Sequence, residues 1–372
     1  MLYRRFGKTG LQLSVFSFGA MRFLASKENA IRTAQAAVDL GINHLETARG
    51  YGESEKFLGA ALRAGLPRER VYITTKIPPQ QDGSAMRRAI EESLSRLGID
   101  RIDIFDLHGI NNREQFDLGM GCLPAIRRAM DEGLIAHLGF STHAPLDLLL
   151  ETIATGEFES VNLHYYYFNQ RNAPAIALAH QLDMGVFIIS PTDKGGQLFN
   201  PPARLVELCA PYTPIAINHR FLLADPRIHT LSLGAAHPGE FAPHLAVADQ
   251  GGPLSEGEKA ILERLERQYQ RVPSLCEQCY QCLPCPEDIH IPEVLRLRNL
   301  ALGFEMNDFG RYRYAMFGNA GHWFPGRKAN SCTDCGDCLP RCPVGLEIPA
   351  LLKQTHALLY QGERKRLWGS SS

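Results

Sequence analysis

Two runs of cysteine carry the densest chemistry in this 372-residue chain. The first reads Cys276-x2-Cys279-x2-Cys282-x2-Cys285-Pro286. The second, after 46 intervening residues, reads Cys332-x2-Cys335-x2-Cys338-x3-Cys342-Pro343, so eight of the ten cysteines fall in one stretch. Thiolates are soft ligands, and three of them at a period of three can close around one side of an iron–sulfur cubane while short turns wrap the cluster. A disulfide framework needs an oxidising compartment and usually a short secreted chain. Structural zinc sites rarely use three consecutive CxxC steps that end in Cys-Pro. The pattern therefore points to two [4Fe–4S] clusters with these eight cysteines as ligands.

In detail the runs resemble those of two-cluster bacterial ferredoxins, in which the proline-followed fourth cysteine ligates the other cluster. The resemblance implies Cys276, Cys279 and Cys282 with Cys342 around one cluster, and Cys332, Cys335 and Cys338 with Cys285 around the other. The first run has x2 before Cys285 where x3 is usual, and the gap between the runs holds an apolar helical stretch from Ile291 to Leu302. Both features predict a mostly helical cluster domain rather than a compact β-rich one. Such domains act as electron wires, so a one-electron donor such as a ferredoxin is an expected partner.

Composition bounds the remainder. The formal net charge is −1, so no strong field invites nucleic acid or an acidic membrane surface. No run of eighteen apolar residues occurs, and no membrane span is expected. Arg4-Arg5-Phe6 loosely imitates a twin-arginine export signal. However, Gly7-Lys8-Thr9-Gly10 reads as a hairpin turn and Leu11, Leu13, Val15, Phe16 and Phe18 as a strand pattern, so a cytoplasmic location is expected. The Gly369-Ser370-Ser371-Ser372 tail reads as disordered.

The rest of the chain alternates strand and helix patterns. Strands are expected at 16–19, 44–47, 71–76, 102–108, 135–141, 160–165, 186–190 and 230–234, with helices at 29–40, 53–64, 85–97, 123–132, 146–155, 173–182 and 203–223. Eight βα units predict an α/β fold, a TIM (β/α)8 barrel whose site lies at the C-terminal strand ends. A doubly wound open sheet is the runner-up, and the lack of a glycine-rich dinucleotide fingerprint after the first strand counts against it. The expected division is a barrel over 1–255, a linking helix within 256–275, and a helical two-cluster domain over 276–372.

Those strand ends hold Glu46-Thr47-Ala48-x-x-Tyr51-Gly52-x-Ser54-Glu55, then Thr74-Thr75-Lys76, then Leu107-His108. With the Tyr3–Leu11 hairpin and Gly139-Phe140-Ser141, they resemble the aldo/keto reductase family, in the branch fused to a C-terminal pair of ferredoxin-type motifs. The resemblance implies an oxidoreductase acting on a carbonyl or other unsaturated small molecule, with Tyr51 as proton donor and His108 orienting the carbonyl. Lys76 would then lower the Tyr51 pKa, and Glu46, where the family has an aspartate, would hold the lysine. It also implies a nicotinamide dinucleotide, NAD or NADP, near Ser141, Asn162, Ser190, Lys194, Gly195, Gly196 and Gly234. Thr142, Ile189 and Ala236–Glu240 depart from that family's cofactor contacts. A flavin is a further group able to couple two-electron and one-electron steps. The alternative reading is an electron-transfer or redox-interaction protein whose barrel no longer reduces carbonyls.

Overall fold

The computed structural model describes residues 1–321 and 324–362, which leaves the Gly369–Ser372 tail and part of the 276–372 region outside the described residues. Among the described residues ten strands are present: β1 (Tyr3–Arg5), β2 (Gln12–Ser14), β3 (Phe16–Gly19), β4 (His44–Glu46), β5 (Tyr72–Ile77), β6 (Ile102–His108), β7 (Ile135–Ser141), β8 (Ser160–Leu163), β9 (Gly185–Ile188) and β10 (Thr230–Leu233). The last eight form a closed barrel in the order β10-β3-β4-β5-β6-β7-β8-β9, and every pair is parallel. This is the expected TIM barrel. Its strands are buried on both faces, which is why they read as near-continuous apolar runs.

The single strand pattern expected from Leu11 to Phe18 is two strands. Val15 divides it, so that β2 pairs antiparallel with β1 while β3 enters the barrel. This hairpin plugs the N-terminal end, where Phe6 packs with Leu13, Ile104 and Phe187. The fit depends on glycine: a Cβ at Gly185 would lie 2.7 Å from the Phe6 ring. The two arginines of the export-like motif serve this plug. Arg4 donates to the carbonyls of Leu223, Asp225 and Ile228, and Arg5 forks onto Asp183 at 2.7 and 2.8 Å.

Above the plug a polar layer crosses the barrel. Ser17 Oγ lies 2.6 Å from both His44 Nδ1 and Thr230 Oγ1, and His44 Nε2 is 2.7 Å from Thr74 Oγ1. Burial, then the Lys76 charge, lowers His44 to about 3, so this imidazole stays neutral and acts as a hydrogen-bonding strut.

Helix boundaries depart from the sequence expectation in two places. The helix expected over 123–132 begins ten residues earlier and runs Arg113–Asp131, with Asn112 capping the Gln115 amide. Gly119, Gly121 and Pro124 had masked its periodicity. The stretch expected over 203–223 is two helices, Ala203–Cys209 and Pro214–Leu223, because Pro211 and Pro214 cannot continue the helical hydrogen bonds.

The chain divides into two compact units: Met1–Gly195 with Ile215–Leu254, and Gly196–Pro214 with the residues from Ser255 on. Relative to the expected division, the segment 196–214 and the helix Glu256–Tyr269 both count with the second unit. Arg264 explains this, donating to the carbonyls of Leu208 at 2.8 Å and Ala210 at 2.6 Å. The second unit is mostly helical, with helices Ala203–Cys209, Glu256–Tyr269, Ile291–Phe304, Asn307–Tyr314 and Ile348–Leu359. Among the described residues no helix is long and apolar enough to cross a membrane.

Candidate active site and cluster cages

Three neighbouring strands deliver the polar groups at the barrel's C-terminal end. Glu46 ends β4, Lys76 is the penultimate residue of β5, and Asp106 and His108 lie on one face of β6. Lys76 pairs in register with Asp106, Asp106 with Gly139, and His108 with Ser141. Tyr51 sits on the turn after β4, which is pinned by Thr47 N to Thr74 O at 2.8 Å, Arg49 N to Lys76 O at 3.0 Å and Ser54 Oγ to Ala20 O at 2.5 Å. The tyrosine is thus held by backbone and hydroxyl contacts rather than by loop flexibility.

Lys76 is buried and ion-paired with Glu46, and its ammonium also donates to the Thr47 carbonyl at 2.7 Å. The same ammonium lies 5.1 Å from the centre of the Tyr51 ring. Tyr51 meets His108 edge-on, with ring centres 5.6 Å apart and planes at 87°. The four side chains named from the sequence therefore converge. Burial penalises the Lys76 charge, but Glu46, Tyr51 and Asp106 outweigh it and the lysine pKa is raised. Tyr51 departs from expectation: burial pushes its pKa up to about 12, and the opposing pull of Lys76 is too weak to lower it. The group is held as a phenol, with its proton in place.

Asp106 was not picked out from the sequence. It is 1% exposed, accepts a hydrogen bond from Asn162 Nδ2 at 2.8 Å on Oδ2, and has no partner on Oδ1. Burial raises its pKa to about 7. A legible signal existed, since Asp106 stands two residues before His108 and so shares its strand face.

Those residues expected near a dinucleotide that belong to the first unit lie at or just after the C-terminal ends of β7 to β10. Ser141 and Asn162 pair in register, the Ser141 hydroxyl accepts from the Gly109 amide at 3.1 Å, and Asn162 is engaged with Asp106. Ser190 adopts φ 52° and its carbonyl accepts from Lys194 N at 3.1 Å. Gly195 packs so tightly on the Pro191 carbonyl and the Tyr166 ring that no Cβ fits, and Gly196 belongs to the second unit. The Gly234 carbonyl accepts from Arg22 at 2.8 Å, and Arg22 also pairs with Glu240 at 2.9 Å. Glu240 in turn accepts from the Ala236 amide at 2.9 Å, so the turn after β10 carries its own carboxylate. The aromatic run after β8 packs rather than opens: Tyr165 stacks on Phe221 at 5.7 Å and Tyr166 donates to the Ile189 carbonyl at 2.5 Å.

In the second unit, one cage is lined by Cys285, Cys332, Cys335 and Cys338, and another by Cys276, Cys279, Cys282 and Cys342. Ile291 borders both. These are the crossed sets. Left-handed backbone at Gln278, Tyr280 and Asp334 lets each run fold around its cage. Burial, then the neighbouring thiols, raises the pKa of Cys276, Cys282 and Cys338, with Cys282 reaching about 12. Four such thiols ionise together only around a strongly cationic centre. Among the described residues no three His, Cys, Asp or Glu side chains converge closely enough for a single metal ion. Four cysteine sulfurs lining each cage are the donor set of a [4Fe–4S] cluster.

Comparison with known proteins matches this arrangement. Residues 16–199 fit the model of the Aldo/keto reductase family and residues 275–347 that of a 4Fe-4S dicluster domain. The chain is 30% identical over 204 residues to L-galactose dehydrogenase of Arabidopsis thaliana, which spans 50% of this chain and 63% of that protein. It is 27% identical over 298 residues to the uncharacterized oxidoreductase YqkF of Bacillus subtilis (strain 168), covering 70% of this chain and 95% of that one. The holo form of the aldo-keto reductase AKR11C1 from Bacillus halodurans shares the fold, with a TM-score of 0.63 at 22% identity over 71% of this chain and 96% of its own. The barrel thus carries an aldo/keto reductase family domain over residues 16–199, and a 4Fe-4S dicluster domain over residues 275–347 follows it.

Proposed function

We propose that the barrel is an oxidoreductase that reduces a carbonyl group of a small molecule. The observation that carries this reading is the convergence of half-buried Tyr51 and His108 on buried Lys76 and Glu46, with the Lys76 ammonium 5.1 Å from the Tyr51 ring and His108 set edge-on to it. A carbonyl oxygen received between Tyr51 and His108 takes the Tyr51 proton, and the ammonium of Lys76 stabilises the phenolate that is left. Glu46 keeps Lys76 charged and in place. Ser141, Asn162, Ser190, Lys194, Gly195 and Gly234 would hold a nicotinamide dinucleotide, which when bound would supply the hydride. The ionic groups act with more force here than in water because the site is buried.

In the second unit the two cages hold [4Fe–4S] clusters that pass single electrons, with Cys276, Cys279, Cys282 and Cys342 on one and Cys332, Cys335, Cys338 and Cys285 on the other. A one-electron donor such as a ferredoxin is the proposed partner. The name of YqkF, an oxidoreductase aligned over most of its length, supports the class of reaction.

The test is turnover. Purified protein with intact clusters, given NADPH or NADH and a series of simple aldehydes, is expected to consume dinucleotide in step with aldehyde. Failure with every aldehyde would favour a barrel that serves electron transfer or docking alone.

A further inference from the structure

Asp106 is a second carboxylate in a site that already has one for its single ammonium. Among the elements packed round it, β4 presents Glu46, β5 presents Lys76, and the turn after β4 presents Tyr51. From β7 comes Gly139, and from β8 come Ser160 and Asn162. Its two oxygens are placed differently. Oδ2 accepts the Asn162 amide at 2.8 Å, whereas Oδ1 is buried without a partner. Oδ1 occupies space that exists because residue 139 is glycine: a Cβ there would clash with Oδ1 and with Ser160 Oγ. The Ser160 hydroxyl and carbonyl oxygens border the same gap.

An ionised Asp106 together with an ionised Glu46 would leave an uncompensated buried negative charge beside Lys76, and a buried charge of that kind is relieved by taking up a proton. We propose that Asp106 is a proton-linked positioning residue, which binds and releases a proton at Oδ1 and thereby switches Lys76 between one anionic neighbour and two. The inference rests on the reading of Tyr51 as the acid–base group. With Asp106 ionised, the extra anion holds the proton on Tyr51, the form that reduction consumes. With Asp106 protonated, Lys76 bears more fully on Tyr51 and favours the phenolate, the form that alcohol oxidation needs. In both states Oδ2 anchors the Asn162 side chain. The direction agrees with the electrostatics, since burial brings Asp106 to about 7 and its charge raises Tyr51.

Two measurements on protein without dinucleotide or substrate test this. In wild-type protein, infrared difference spectra should show a protonated buried carboxyl that disappears as pH rises through about 7, and Asp106→Asn and Asp106→Leu should both lack it. Tyrosinate absorbance at alkaline pH, taken against a Tyr51→Phe background, should show roughly tenfold more Tyr51 phenolate in Asp106→Asn than in wild type at the same pH, as loss of one nearby anion at an effective dielectric of ~20 implies. Absence of the carboxyl band in wild type, or a Tyr51 titration unmoved by Asp106→Asn, overturns the proposal. The infrared result on wild type decides even if a variant does not fold. Because neither readout uses turnover, failure of the aldehyde assay and failure of this proposal are told apart.

Discussion

Glu46 is one methylene longer than the aspartate of the family pattern, yet its carboxylate reaches Lys76 and forms a fully buried ion pair. The pair is therefore built around glutamate. Glu46→Asp should retract the carboxylate by about one bond length and loosen Lys76 against Tyr51. Misplacement of that size costs up to ~10²-fold in rate, so kcat for carbonyl reduction should fall by roughly that factor with KM changed less. A rise in kcat on this substitution would mean that the native geometry is detuned. At this scale the sequence told which residues meet, because Glu46, Tyr51, Lys76 and His108 lie at the ends of successive strands. It did not tell the sign of the Tyr51 shift, which depends on how completely neighbouring elements exclude water. Nor did it single out Asp106: its place on the His108 face was legible, but its burial depends on closure of the barrel.

Barrel elements were legible where β-branched and aromatic runs bounded by turns made them so, and β6 and β7 fall at the expected residues. The helices Asn307–Tyr314 and Ile348–Leu359 were not foreseen. The first contains Gly310, a poor helix former in isolation, which is favoured here because a Cβ would come within 2.9 Å of Leu359. The cysteine runs were read from their period, and the structure gathers them into cages whose fourth member comes from the other run. Cys285→Ser should therefore damage the cluster held by Cys332, Cys335 and Cys338 and spare its companion. Iron and labile-sulfide analysis with paramagnetic resonance of the reduced protein would check this, and loss confined to the cluster of Cys276, Cys279 and Cys282 would refute the crossing.

At the scale of the whole molecule, the hydride chemistry proposed for the barrel would move two electrons at once, whereas each [4Fe–4S] cluster proposed for the second unit would move one. The two kinds of step do not couple without a group that can divide an electron pair. Under anaerobic conditions NADPH alone should thus leave the clusters oxidised, while a one-electron reductant such as reduced ferredoxin should bleach them. Rapid stoichiometric bleaching by NADPH in flavin-free, substrate-free protein would contradict this. The near-zero net charge of the chain gives no long-range field for steering a charged partner, so docking would rest on local surface chemistry.

Replacing the proposed proton donor puts the proposed carbonyl reduction to its most direct test. Tyr51→Phe removes one oxygen from a residue whose ring contacts with Lys76 and His108 the phenylalanine can keep. With aldehyde as substrate, turnover should fall by ~10² to 10⁴, the usual worth of general acid catalysis, while the thermal transition and iron content stay at wild-type values. Turnover equal to wild type in a folded, cluster-replete Tyr51→Phe protein would contradict a barrel in which Tyr51 gives the proton.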